Sequence, residues 1–156
     1  MAHQRPSPLR LTLMVSIVVL ALDQVSKAWI LTQLTLGESQ PILSGIFHLT
    51  LVCNPGVAFG LLKNFGWLVV ILSWVAVIGL VGWLLRTSKT APHNRSLTWG
   101  AGLILGGALG NLIDRLRFGG VVDFLDFRIW PVFNVADSCI TIGVVLIFLS
   151  WRQVKH

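Results

Sequence analysis

Four long apolar runs dominate the chain, separated by short polar stretches. They cover about 11–34, 66–85, 97–113 and 135–151. A bilayer core is crossed by roughly 20 mostly apolar residues in helix, so the pattern predicts an all-α membrane protein with four transmembrane helices. The first run begins like a signal peptide, with Arg5 and Arg10 ahead of Leu11–Leu22. No small-x-small cleavage site follows, and the apolar pattern resumes over Ala28–Leu36, so it reads as an uncleaved span. Between the first two runs, Ile46–Cys53 is β-branched and aromatic enough for a short strand. Asn54-Pro55-Gly56 then marks a turn, and Val57–Asn64 suits a short interfacial helix dipping Phe59, Leu61 and Leu62 into lipid. These pieces predict a small β/helical platform on one membrane face. There is no linker and no internal repeat, so residues 1–156 read as a single integral membrane domain.

Polar positions inside the runs are few. Gly102, Gly106 and Gly110 recur every fourth residue, a spacing that lets helices approach closely. Gly107, Asn111 and Arg115 continue an adjacent stripe, and Asp114 lies on the Gly110 side. In the first run Asp23 and Lys27 stand four apart, acid first, the favoured order for a helical ion pair. Unpaired charges at that depth cost several kcal/mol. The pair therefore either fixes the helix in its bundle or supports a polar site above it, and spacing does not choose.

Composition agrees with the pattern: 54% of residues are hydrophobic and 12% charged, against about a quarter charged in soluble domains. The net charge of +6 has no basic stripe on a soluble domain to carry nucleic acid. The bases sort by segment instead. Arg5, Arg10, Arg86, Lys89, Arg95, Arg152 and Lys155 fall in the two tails and the 86–96 loop, which hold no acids. Excess Lys and Arg marks cytoplasmic segments, so both termini are expected inside, with Gly37–Phe65 and the segment after the third run outside. Trp67, Trp83, Trp99, Trp130 and Trp151 fall at expected span ends, as an aromatic belt would have it. Cys53 and Cys139 form no framework. The scattered histidines form no zinc motif, so no metal or other cofactor is expected.

Four of the six acidic residues lie between Gly106 and Asp137: Asp114, Asp123, Asp126 and Asp137. Carboxylates this rare, gathered beside a bilayer, are candidates for chemistry. On a straight helix Asp123 and Asp137 would stand ~21 Å apart. Pro131 breaks any helix between them and Asn134 can cap a new one, so the chain can fold back and bring them together. Asn134, Asp137, Ser138 and Thr141 then share a helix face. Two close carboxylates cannot both ionise easily, so one keeps its proton. That supplies a base to activate water and an acid for a leaving amine. The plainer alternatives are a helix-start carboxylate for Asp137 and an arginine ion pair for Asp123. A helix start favours the ionised form at Asp137, and an apolar approach disfavours it at Asp123. The expected proton carrier is therefore Asp123, although the two titrate as a pair.

Five motifs carry a resemblance: Asp23-Gln24-x-x-Lys27, Asn54-x-Gly56-x-Ala58-Phe59, Gly110-Asn111-Leu112-Ile113-Asp114-Arg115, Gly120-Val121-Val122-Asp123-Phe124 and Phe133-Asn134-x-Ala136-Asp137. In that order, over four runs, the chain resembles the lipoprotein signal peptidases (signal peptidase II), aspartyl proteases of the bacterial inner membrane. The resemblance implies Asp123 and Asp137 as the catalytic pair. It implies Asn54, Gly56, Asn111, Arg115 and Asn134 as residues that line or support the site. Asp114, at the end of the third run with Asn111 and Gly110 behind it, is expected to be a structural polar group, as are Asp23 and Lys27. The resemblance further implies prolipoproteins carrying a diacylglyceryl cysteine as substrates, cut before that cysteine, and a monomer among membrane lipids. Two other readings compete. A small four-span transporter relaying protons would centre on Asp23. A Ser/Lys protease would use Lys27, but its neighbour Ser26 faces elsewhere on the helix.

The charge sorting gives a direct test. A reporter active only in the periplasm should work when fused near Ser39 or Gly119 and fail near Lys89 or the C-terminus. The reverse pattern overturns the arrangement with both ends inside.

Overall fold

Helix α1 (Pro8–Gln33) starts where Ser7 precedes Pro8: the serine side chain accepts from Arg10 N at 3.4 Å, and proline occupies the first turn, where its missing N–H costs nothing. The computed structural model describes residues 7–56, 66–90 and 94–153. The expected interfacial helix over Val57–Asn64 lies outside the described residues, and with it Ala58 and Phe59. After α1 come β1 (Ser39–Leu43), β2 (Phe47–Asn54), α2 (Gly66–Thr90), α3 (Arg95–Phe118), β3 (Val121–Asp126) and α4 (Val135–Gln153). Three helical stretches, Pro8–Gln33, Trp67–Arg86 and Arg95–Phe118, are long and apolar enough to cross a membrane, and Val135–Ser150 is a shorter apolar helix. Large side chains such as Met14, Ile17, Val25, Ile78 and Val145 stay exposed on the helices. A soluble protein would hide such a surface, whereas lipid solvates it.

Helix α3 is the centre of the bundle, packing on α1, α2 and α4. Its glycines work on two sides. A Cβ on Gly106 would stand 2.6 Å from Ser16 O of α1, and one on Gly102 would stand 2.9 Å from Thr12 O. Gly107 faces α4, where an added Cβ would meet Ala136 O at 2.6 Å. Backbone meets backbone at these points, and polar side chains fill in: Thr12 Oγ1 donates to Thr98 O at 3.2 Å and Ser16 Oγ to Gly102 O at 3.1 Å. Against α2 the packing is apolar, through Val77, Leu84, Ala101, Leu105 and Leu112.

The strands form an antiparallel sheet in the order β1-β2-β3. A second apolar cluster, Ile30, Leu34, Leu51, Val122 and Phe124, seats this sheet on the end of α1. The sheet exceeds the expected platform: β1 pairs beside β2, and β3 follows the third helix, so strand structure is not confined to the segment between the first two helices. The Val121–Asp126 stretch, VVDFLD, is a strand whose apolar side chains are covered on both faces. A covered strand loses the inside–outside alternation that signals β structure. Beyond β3 the chain turns back, and Phe133 pairs with Leu125, accepting from Leu125 N at 2.8 Å and donating to Leu125 O at 3.1 Å. That return sets the first turn of α4 against β3.

The glycine contacts predict a sharp contrast between helices. Gly106→Val should cost about 1–3 kcal/mol through overpacking and lower the melting temperature in detergent. Gly82→Val in α2, where nothing lies within 4 Å, should leave melting near the parent value.

Candidate active site

Asn134 and Asp137 cap α4 reciprocally. Asn134 Oδ1 accepts from Asp137 N at 2.9 Å, and Asp137 Oδ2 accepts from Asn134 N at 3.4 Å. This is a capping box with aspartate in the place usually taken by glutamate or glutamine. The same Asn134 reaches sideways: its Nδ2 donates to Asp123 Oδ1 at 2.7 Å, with Val122 O at 3.2 Å and Asn111 Oδ1 at 3.1 Å also in reach. One wholly buried side chain thus joins both aspartates. Asp123 Oδ2 accepts from Asn54 Nδ2 at 3.1 Å, and Asp137 Oδ1 accepts from Asn111 Nδ2 at 2.8 Å. Each carboxylate is held by amides, with no ion pair to either among the described residues. The expected alternative of an arginine partner falls to Asp126 instead, which pairs with Arg128 at 3.5 Å.

Asn54 is turned toward the site by its own loop: its Oδ1 accepts from Gly56 N at 2.9 Å. Gly56 has φ +71°, and a side chain there would crowd Val69 and the Arg115 guanidinium, so glycine meets both demands. Arg115 donates from Nη1 to Asn111 O at 3.3 Å. Its Nε is buried without a partner among the described residues. It lies within electrostatic reach of Asp137, Asp114 and Asp123, leaving a cation beside the two carboxylates with donor capacity to spare.

Beneath the pair lies a dry ionic knot. Lys27 Nζ sits 2.9 Å from Asp23 Oδ2, 2.7 Å from Asp114 Oδ2 and 3.0 Å from Asn111 Oδ1. Each aspartate also serves the backbone: Asp23 Oδ1 accepts from Ala136 N at 3.0 Å, and Asp114 Oδ2 from Val122 N at 3.1 Å. The transporter reading gains nothing here, since both Asp23 oxygens are occupied. Sequence spacing did not reveal Gln24, which bridges Asp23 Oδ2 and Asp114 Oδ1 at 3.2 and 3.1 Å. Its place inside the first motif was the available signal.

Burial is the main force on Asp123, raising its pKa from the usual 3.8 to about 6. The Asn54 hydrogen bond opposes this, the nearby Asp137 charge adds to it, and Asn134 and Lys27 oppose it further. On the outer side of β3, hydrogen bonding from Thr50 Oγ1 and Arg128 N, with the Arg128 charge, holds Asp126 below the ordinary carboxylate range. The two aspartates of the strand, Asp123 within it and Asp126 at its end, therefore have opposite character.

Asp137, Ser138 and Thr141 open onto a cavity of about 490 Å³ walled by Phe127, Ile129, Trp130, Phe133 and Ile142. Most of the wall comes from the short return loop between β3 and α4. Its conformation is pinned at Arg128, in the left-handed region at φ +64°. There the backbone N donates to Asp126 Oδ1 at 2.9 Å and Nη2 to Ser39 Oγ at 2.9 Å, beside a contact with His48 Nδ1. Phe127 packs on Phe47 of β2 and stacks on Phe133, with centroids 4.9 and 5.9 Å apart.

Apolar helices thus end on two amide-held carboxylates beside an aromatic-walled cavity. The chain is similar to two solved bacterial membrane enzyme structures obtained by the in meso method. One, at 2.3 Å resolution, is 34% identical with a TM-score of 0.80 over 92% of this chain and 88% of that one. The other, at 1.9 Å resolution, is 35% identical with a TM-score of 0.80 over 90% and 91%. The chain belongs to the signal peptidase II family, whose model matches residues 15–152, and it is a peptidase on that ground. A lipoprotein signal peptidase of Halothermothrix orenii is 46% identical over 142 residues, covering 90% of this chain and 95% of that protein. That of Pelotomaculum thermopropionicum is 50% identical over 135 residues, covering 86% and 85%.

The Asp123 environment sets a titration. Its protonated form should persist well above pH 4 and be lost as pH rises through about 6. Asn54→Ala removes a bond to the charged form, so the proton should be lost at still higher pH. Infrared difference spectra of the protonated carboxyl, recorded across pH, measure this; an unchanged midpoint contradicts the assigned contact.

Proposed function

We propose that this chain is a membrane-embedded aspartic endopeptidase that removes signal peptides from diacylglyceryl-modified prolipoproteins, cutting before the lipidated cysteine. The observation that carries the reading is the Asn134 bridge, which ties Asp123 and Asp137 into one hydrogen-bonded unit. Family membership supplies the substrate class. Asp137 acts as base: it takes a proton from water, whose oxygen bonds to the scissile carbonyl carbon. Asp123, whose hold on a proton is strengthened by burial, gives that proton to the departing amine as the C–N bond breaks. The new carboxyl group takes the hydroxyl, and the proton held by Asp137 restores the shared-proton state of the pair. Arg115, with Nε unpartnered among the described residues, is suited to a substrate carbonyl. No cofactor enters the reaction.

The cavity walled by Phe127, Trp130 and Phe133 suits the apolar part of a lipid-bearing peptide, and the lipid-compatible helix surfaces allow delivery along the bilayer. In this reading residues 1–156 form one four-span domain in the inner membrane, working as a monomer among lipids. In the same reading both termini are cytoplasmic and the site is extracytoplasmic, an orientation that the charge sorting supports.

A prolipoprotein cleavage assay on purified protein tests the reading. Asp123→Asn and Asp137→Asn should each remove nearly all turnover, and the double variant little more, because the roles act as a unit. Affinity for a non-cleavable lipopeptide should largely survive. Acid–base groups supply about 100-fold or more, so either single variant keeping over about a tenth of parental turnover contradicts the two-aspartate mechanism.

A further inference from the structure

Lys27 touches neither aspartate of the pair, yet it is one hydrogen bond removed from Asp137. Its ammonium has three N–H donors and no acceptor, and all three are engaged, by Asp23, Asp114 and Asn111. Lys27 is 2% exposed, Asn111 5% and Asp114 1%, so bulk water does not compete for these bonds. A side-chain amide has one accepting and one donating end. Because an ammonium can face only the accepting end, Asn111 must turn Oδ1 to Lys27 and present Nδ2 to Asp137, where it donates at 2.8 Å. The reversed amide would set NH2 against the ammonium and C=O against the carboxylate, two repulsions in place of two attractions.

The other donor near Asn111 Oδ1 gives no such guarantee. Asn134 Nδ2 has two hydrogens for three acceptors, and its shortest contact, 2.7 Å, goes to Asp123. The direction of the Asn111 amide therefore rests on Lys27. We propose that Lys27 is a positioning residue for the reaction: by fixing which end of Asn111 faces Asp137, it holds that carboxylate in its working orientation. This rests on the two-aspartate reading above and adds a role for a residue otherwise regarded as structural. It also gives the Asp23 and Asp114 pairing a second purpose, since those carboxylates keep the ammonium aimed.

The test separates the two halves of the relay in purified full-length protein, with kcat normalised to folded molecules by non-cleavable lipopeptide binding. Asn111→Asp keeps an oxygen for Lys27 and loses the donor to Asp137. It also sets a new carboxylate against Asp137, so it should melt below the parent, and it should lose about 10- to 100-fold in kcat per folded molecule, with KM within about twofold. Lys27→Met combined with Asp114→Asn removes the cation and one of its anions together, so the net charge of the knot is unchanged and Asp23 keeps its Ala136 N and Gln24 Nε2 donors. It should show the same split, and adding Asn111→Asp to it should cost little more. Lys27→Gln with Asp114→Asn restores an N–H donor and should recover part of the kcat.

Equal kcat in the Met and Gln variants at equal melting temperature overturns the proposal, as does parental kcat in Asn111→Asp. If neither double variant reaches parental melting, Asn111→Asp alone decides. Asp123→Asn and Asp137→Asn run alongside. Turnover surviving in those overturns the two-aspartate reading itself, whereas turnover abolished there with Asn111→Asp unaffected overturns only the role of Lys27.

Discussion

The buried ammonium of Lys27 is the constraint on which the structure turns. Removing a charge from water is tolerable only when partners are close and well aimed. The two partners here come from different helices. Asp23 lies one turn away on α1 and also receives the first-turn backbone of α4 through Ala136 N; Asp114 lies on α3 and receives the start of β3 through Val122 N. A single cation thus sets the relative height of three helices and a strand. The glycine faces of α3 bring the backbones close enough for those short side chains to meet, and Gly110 leaves the space that Asp23 occupies.

Much of this was legible in the sequence because it depends on local rules. Apolar runs marked the helices, the four-residue glycine spacing marked the close face of α3, and the Asp23–Lys27 spacing marked an ion pair. Pro131 followed by Asn134 marked the reversal and the cap that bring Asp137 to Asp123. What stayed hidden is non-local. Strand β3 has no alternating pattern because it is covered on both faces, and β1 is a short exposed edge with a proline in it. Register between strands far apart in sequence decides that Asn54 reaches Asp123 and that Thr50 reaches Asp126. Spacing along one segment contains no such information. Gln24 was quoted in a motif without a role, since only the packed helices show that its amide spans Asp23 and Asp114.

The return loop joins fold and function differently. It is short, and its large side chains face outward: Ile129 is 92% exposed. In water that would be a liability, but beside a bilayer it is an apolar rim on the cavity. Arg128 holds the rim to the sheet with polar contacts outside the cavity, so its wall can be apolar without being loose. Polar groups fasten from behind and apolar groups face the cavity.

The cap of α4 has a wider consequence. Asn134 and Asp137 are at once the residues that begin a helix and residues of the site, so the site has no existence apart from that first turn. Until α4 docks, neither the Asn134 bridge to Asp123 nor the Asn111 donor to Asp137 exists, so the two carboxylates become one unit only when that helix is in place.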